Sequence, residues 1–290
     1  MLGGFGHGAA RGSALPSVTR FQYAAALLRF PFEGQAQELA ALASVATRNA
    51  NLAWLGMQNC VSNENLDCNL RALEEQLLAL DSQNSEAWMF AAVSRYRRDE
   101  PEAALAALRQ AGVSPETRTY RIETIELLER ALRTNPDMPF PDRAMLAWTT
   151  PPLTPYQPIS TICREESARS SDWAHACLAY GQLLEAQSDG ELGYRIGLSI
   201  QARAFEALGD LENGAQARAR LDAARRSVLE FDPSERGDPL TLPFLDPVYF
   251  AAYWESVRRY GEIETRRIVR EDPFAWMASV DPRFSVCAPR

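Results

Sequence analysis

The sequence contains no lysine; all 30 of its basic residues are arginine. That absence excludes Schiff-base catalysis and a phosphate-binding loop built on lysine. Arginine-favouring codons in a GC-rich genome account for the bias without any functional demand. Histidine is nearly missing too, with two residues in the chain. No apolar run approaches the roughly 18 to 20 residues that a membrane-spanning helix needs. Strand signals are scarce: there are few β-branched runs and no Asn-Gly or Asp-Gly turn between alternating segments. A surplus of positive charge is also lacking. The formal net charge of -8 opposes broad nucleic-acid binding, which requires clustered cations to neutralise phosphates.

What remains is the composition of a folded protein. The 290 residues are 46% hydrophobic and 23% charged. That is enough for one large domain or two modest ones, and it excludes wholesale disorder. Helical periodicity dominates. It predicts helices near 36–48, 50–60, 68–80, 85–98, 101–111, 116–133, 165–187, 191–208, 211–230, 247–260 and 262–270. The stretch from Phe21 to Phe32 carries Arg29 and lacks a small-residue cleavage site, so it reads as an amphipathic helix rather than a signal peptide. Gly3-Gly4-Phe5-Gly6-His7-Gly8 reads as a flexible terminus, because no strand precedes it to make a dinucleotide loop.

Proline punctuates the pattern. Seven prolines fall between Pro136 and Pro158, and continuous helix is impossible through them, so a mostly extended course is expected. The expected organisation is a flexible start over 1–18, a helical array over 19–135 and a proline-rich connection over 136–162. A second helical array over 163–290 follows, with a loop near 232–246 and an irregular tail. The connection either separates two domains or straps one continuous array.

Trp54 and Trp88 stand 34 residues apart in matching phrases, Ala53-Trp54-Leu55 and Ala87-Trp88-Met89. That spacing is the period of the tetratricopeptide repeat. The segment Leu80-Asp81-Ser82-Gln83-Asn84-Ser85-Glu86-Ala87-Trp88 resembles the inter-repeat turn of that family. Ala92, Ala104, Leu108 and Ala111 fall at its small and buried positions. Ser82 stands where proline is usual, and Asp99 where the turn glycine is usual. Ala207-Leu208-Gly209-Asp210, with Ala202, Phe205 and Gly214, and Arg259-Tyr260-Gly261-Glu262 look like degenerate copies. In the last of these, Trp254 occupies a small-residue position. The chain also resembles exported helical proteins of GC-rich bacteria.

The resemblance implies an all-α superhelix of antiparallel helix pairs and a non-catalytic scaffold that binds a protein or peptide partner in a groove. It places Arg95 on that groove, with Arg98, Arg118 and Arg121 as further partner-binding candidates. The bland reading of Arg95-Tyr96-Arg97-Arg98 is that basic residues suit the negative end of a helix dipole. The carboxylate-clamp mode known in the family uses lysine, which this chain lacks.

Five cysteines are present. Cys60 and Cys68 straddle a helix-to-helix turn, and Cys163 and Cys177 bracket a helix start, so two local disulfides are expected, each stabilising by about 2.5–3 kcal/mol. Cys287 is left over. Reduced, half-buried thiols are the alternative. A zinc site of Cys163, His175 and Cys177 lacks a fourth ligand, so no metal site is expected. Bridged cysteines favour a periplasmic or exported location over the cytoplasm.

Rival functions start from His175, which follows Asp172 by three residues on a helix, so the two could share a face and serve a helical enzyme. Ser171 or Asp172 capping a helix start is the simpler reading. Glu74-Glu75 and Glu165-Glu166 point about 100° apart and read as solvated helix faces. A small-ligand or glycan binder would need several of the six tryptophans exposed on one face. No catalytic residue and no cofactor is expected.

Overall fold

The computed structural model describes residues 49–62, 68–151, 153–188, 190–229 and 239–281. The expected helix at 36–48, the amphipathic stretch Phe21–Phe32, the glycine-rich start and Cys287 lie outside them. The protein is all-α. Its helices are α1 (Ala50–Ser62), α2 (Leu70–Asp81), α3 (Ser85–Arg97), α4 (Pro101–Gly112), α5 (Arg121–Leu132), α6 (Phe140–Thr149) and α7 (Gln157–Ser167). They continue with α8 (Ser171–Gln187), α9 (Glu191–Ala207), α10 (Leu211–Leu229), α11 (Leu242–Leu245), α12 (Pro247–Tyr260), α13 (Glu262–Glu271) and α14 (Pro273–Val280). A 3-10 turn, Pro239–Thr241, leads into α11, so helix occupies part of the loop expected near 232–246. Among the described residues, β pairing is limited to one isolated bridge between Asn84 and Glu116.

Proline starts helices here more than it stops them. Proline lies in the first turn of α4, α6, α7, α11, α12 and α14. The first turn has no intrahelical acceptor for its N–H groups, so a missing donor costs nothing and the fixed φ is already helical. The stretch from Pro136 to Pro158 is therefore not mostly extended: it holds α6 and the beginning of α7. The helix expected over 165–187 is two. It breaks at Ala168–Ser170, where Ser170 takes an extended conformation (φ -148°, ψ 126°) and opens α8.

The helix expected from 116 begins instead at Arg121, for a local reason. Tyr120 sits in the left-handed region (φ 55°), and the residues before it have bonded elsewhere. Ser85 donates its backbone N–H to the Glu116 carbonyl (2.8 Å), and Glu116 donates back to Gln83 (3.2 Å). The Asn84 side-chain amide grips the Arg118 backbone from both sides, accepting from its N–H (3.0 Å) and donating to its carbonyl (2.8 Å). Backbone groups spent this way cannot serve a helix.

Helices α1/α2, α3/α4, α7/α8 and α9/α10 pack as consecutive pairs, and the first helix of each pair also touches the first helix of the next: α1 on α3, α3 on α7, α7 on α9. The second helix of one pair packs on the following pair, α2 on α3, α4 on α8 and α8 on α9. Between the second and third pairs the chain detours through α5 and α6, which pack together, and α11 closes on α6. Aromatic rings fasten that closure: Phe140 meets Phe250 edge-on at 5.8 Å, and Trp148 meets Phe244 at 5.1 Å. Ion pairs add Arg258–Glu126 (2.7 Å) and Arg266–Glu191 (2.9 Å). One continuous cluster of buried side chains runs from Leu52 to Met277, through both halves of the chain.

Close approach within this stack rests on small residues. Ala92, Ala104, Ala107 and Ala111 are all buried at the α3/α4 crossing. Between α8 and α9, a Cβ on Gly197 would lie 2.6 Å from the Gly181 carbonyl oxygen. Two covalent links complete the frame. Cys60 and Cys68 lie at disulfide distance (1.99 Å) and tie the end of α1 to the entry of α2. Cys163 and Cys177 (2.10 Å) tie α7 to α8.

Candidate binding trough

The first helices of the four pairs share one surface, and a trough of about 1230 Å³ runs across it. Its wall is built from α1 (Val61, Ser62), α3 (Val93, Tyr96, Arg97), the 154–164 stretch and α9 (Leu192, Ile196, Ser199, Arg203). The helical contributions follow the 3.6-residue period: Val93, Tyr96 and Arg97 stand at i, i+3 and i+4, and the α9 residues recur every three or four. The floor is anchored where Gln58 on α1 donates its side-chain amide to the Leu153 carbonyl (2.6 Å). Pockets for drug-sized ligands measure about 300–1,000 Å³, so the trough is larger than such a ligand requires.

Its electrostatics run against the composition of the chain. Arg97, Arg164 and Arg203 contribute to the wall, and among the described residues no aspartate or glutamate does. Arg97 donates to the Val61 carbonyl (2.8 Å) at the end of α1, where unsatisfied helix carbonyls await donors. Arg164 pairs with its exposed neighbour Glu165 (3.1 Å), a contact of the sort that contributes at most about 1 kcal/mol. Arg203 is exposed and makes no ion pair or hydrogen bond among the described residues. Tyr96 donates its hydroxyl to Glu166 (2.7 Å), and that bond, with partial burial, holds the phenol pKa above its usual value.

The four arginines expected to meet a partner are placed elsewhere. Arg95 (2.7 Å) and Arg98 (3.0 Å) both bind Glu74 on α2, and Arg98 also binds Glu100 (3.0 Å) and the Ser94 hydroxyl (2.6 Å). Glu74 is buried, so it is not part of a solvated face as expected from sequence. Arg118 pairs with Asp81 (3.0 Å), and its guanidinium stacks on the Tyr120 ring at 4.6 Å. Arg121 donates to the Trp148 carbonyl (3.3 Å). None of these four lines the trough. A step of one residue turns a helix by about 100°, which is why Arg97 faces the trough while Arg98 faces α2.

Asp172 and His175 are not brought together either. Asp172 pairs with Arg109 on α4 (3.1 Å). The His175 Nδ1 sits 2.7 Å from the carbonyl of Ser171 in its own helix, on an exposed surface. Ser170 holds the capping position of α8 and makes no side-chain cap bond. Cys163 and Cys177 are committed to each other, and among the described residues no cluster of three His, Cys, Asp or Glu could hold a metal ion. Trp54, Trp173, Trp254 and Trp276 are buried, while Trp88 and Trp148 are half-buried. None is the exposed platform that sugar stacking requires.

The trough itself was only partly foreshadowed. The α3 and α9 stripes were available as periodic patterns, but α7 lay hidden in a segment expected to be extended. The sequence matches no family model, and no curated protein or solved structure is detectably similar to it.

Proposed function

We propose that this protein is a non-catalytic scaffold of tetratricopeptide-like type, which holds a polypeptide segment of a partner in the trough. The single observation that carries the reading is the shared surface: the first helices of four stacked pairs contribute to one wall. Stacked helix pairs generate such extended surfaces by repetition alone, and peptide recognition along them needs no reacting group. The mixed lining supports a polymeric ligand, because apolar side chains (Leu192, Ile196) and hydroxyls (Ser160, Thr161, Ser199) share the wall. Two cysteine pairs at bonding distance favour an oxidising compartment, such as the periplasm or cell exterior. Among the described residues no helix is long and apolar enough to cross a membrane.

The test blocks the trough without touching the core. Ser199→Trp places an indole in the channel, and Arg130→Ala, on the exposed side of α5, is the control. Partners captured from the native organism and identified by mass spectrometry are expected to survive Arg130→Ala and to be lost with Ser199→Trp, at unchanged melting temperature. Retention of every partner by the blocked variant would sink the reading.

A further inference from the structure

We infer that the segment held in the trough is an extended acidic peptide, with carboxylates spaced about three residues apart. The inference rests on the trough being a peptide site and names the chemistry of its occupant. Three arginines contribute to the wall, one from each of α3, α7 and α9, and among the described residues no carboxylate does, in a chain with 38 acidic residues against 30 basic. The three guanidinium groups form a cationic strip along the wall, with Glu165 paired to Arg164 and Glu166 bonded to Tyr96 beside it. Such a strip attracts anions and repels cationic partners.

The distribution of the charges sets the spacing. Helix α3 touches α7, and α7 touches α9, so the three arginines stand on neighbouring helices. Packed helices lie about 8–10 Å apart. Each arginine falls in the C-terminal half of its helix: Arg97 closes α3, Arg164 is in the last turn of α7, and Arg203 is one turn from the end of α9. A polyproline II segment rises about 3.1 Å per residue with three residues per turn, so every third side chain returns to one face about 9 Å further on. A carboxylate at every third position therefore keeps step with one guanidinium per helix. Arginine presents a planar fork suited to carboxylate, whereas Leu192 and Ile196 offer apolar contact to the residues between. A nucleic acid is a poorer occupant, since the net charge of -8 opposes a long polyanion beyond the strip. The helix dipole also favours arginine near a helix end, but it does not require the three arginines to converge on one wall.

Fluorescence anisotropy on the full chain tests the assignment, with a labelled peptide of five Glu-Pro-Leu repeats at low ionic strength. The companion probes are the Gln-Pro-Leu version and a peptide of the same composition with its glutamates contiguous. The expected result is saturable binding of the spaced acidic peptide, weakened at least tenfold by glutamine, by contiguity and by the double substitution Arg164→Gln, Arg203→Gln. Both arginines are exposed, so the variant should keep the parent melting temperature. Equal binding of the glutamine peptide, or unchanged binding by the double variant, overturns the charge assignment. Equal binding of the contiguous peptide overturns the spacing. Absence of binding by every peptide overturns the inference as a whole, while the Ser199→Trp capture result judges the peptide-site reading separately.

Discussion

Two kinds of helix contact hold this stack, and they solve the same problem differently. At α3/α4 and α8/α9 the axes come close because small residues let them: buried alanines at the first crossing, Gly181 and Gly197 at the second. At α1/α2 and α7/α8 a disulfide closes the pair instead. Helix α8 belongs to both regimes. Cys177 holds it to α7, and Gly181, one turn further, admits α9. Helix length does not separate the two regimes, since bridged α1 and α2 have 13 and 12 residues and unbridged α3 and α4 have 13 and 12 as well. A disulfide acts by constraining the unfolded chain, whereas a small-residue crossing acts in the folded state by letting the axes approach.

The sharpest way to break this comparison is at Gly197. A Gly197→Val side chain would drive its Cβ into backbone, where neither neighbour can move aside, and should cost about 3 kcal/mol or more. Urea denaturation followed by circular dichroism measures it. A loss below 1 kcal/mol would show that the α8/α9 approach is not the constraint inferred here.

The disulfides come next. Replacing Cys163 and Cys177 together with alanine should cost about 3 kcal/mol, and replacing Cys60 and Cys68 about 2.5 kcal/mol, since the second loop is shorter. In hydrogen exchange under reductant, α1, α2 and α7 should lose protection before α3 and α4. Simultaneous loss in all of them would mean the two regimes are not energetically distinct.

A smaller effect is expected at the turn that delays α5. Tyr120→Phe removes the hydroxyl that donates to Asp81 (2.7 Å) and should cost about 1–1.5 kcal/mol by thermal unfolding. A stability equal to the parent would mean that Asp81 is satisfied by Asn84 and Arg118 alone.

The smallest expected change is a gain. Asp99 adopts φ 58°, a positive φ that glycine takes in the corresponding turns at Gly209 (φ 80°) and Gly261 (φ 81°). Asp99→Gly relieves a left-handed aspartate and should stabilise by about 0.5–1 kcal/mol, offset in part by added freedom in the unfolded chain. A lower melting temperature would show that the aspartate side chain contributes more than its backbone costs.

These residues also show how far the amino-acid pattern could be followed. Ala92, Ala104, Leu108 and Ala111 were legible as a buried crossing because helical spacing converts directly into a face, and all four are buried. Gly209-Asp210 was legible as a turn because only glycine takes that φ without strain. The matching tryptophans were less informative. Trp54 is enclosed against Phe90, whereas Trp88 is half-buried and donates to the Ser82 carbonyl (2.8 Å), so one phrase serves two environments. Arg95 was expected on the groove and sits on Glu74, while Arg97, two residues on, lines it. Periodicity fixes which residues share a face. It does not say which neighbour that face will meet.

By itself the sequence determined the all-helical class, most helix positions, the small-residue crossings and the two cysteine pairs, because each depends on residues close in the chain. Only the tertiary structure decided that prolines of the middle segment open α6 and α7, since the cost of a proline depends on whether its missing N–H had a partner to lose. Only the tertiary structure placed Glu74 beneath two arginines and gathered Arg97, Arg164 and Arg203 on one wall. Those groupings join residues as far as 106 positions apart (97 to 203), and they arise from the stacking of helix pairs rather than from any local preference.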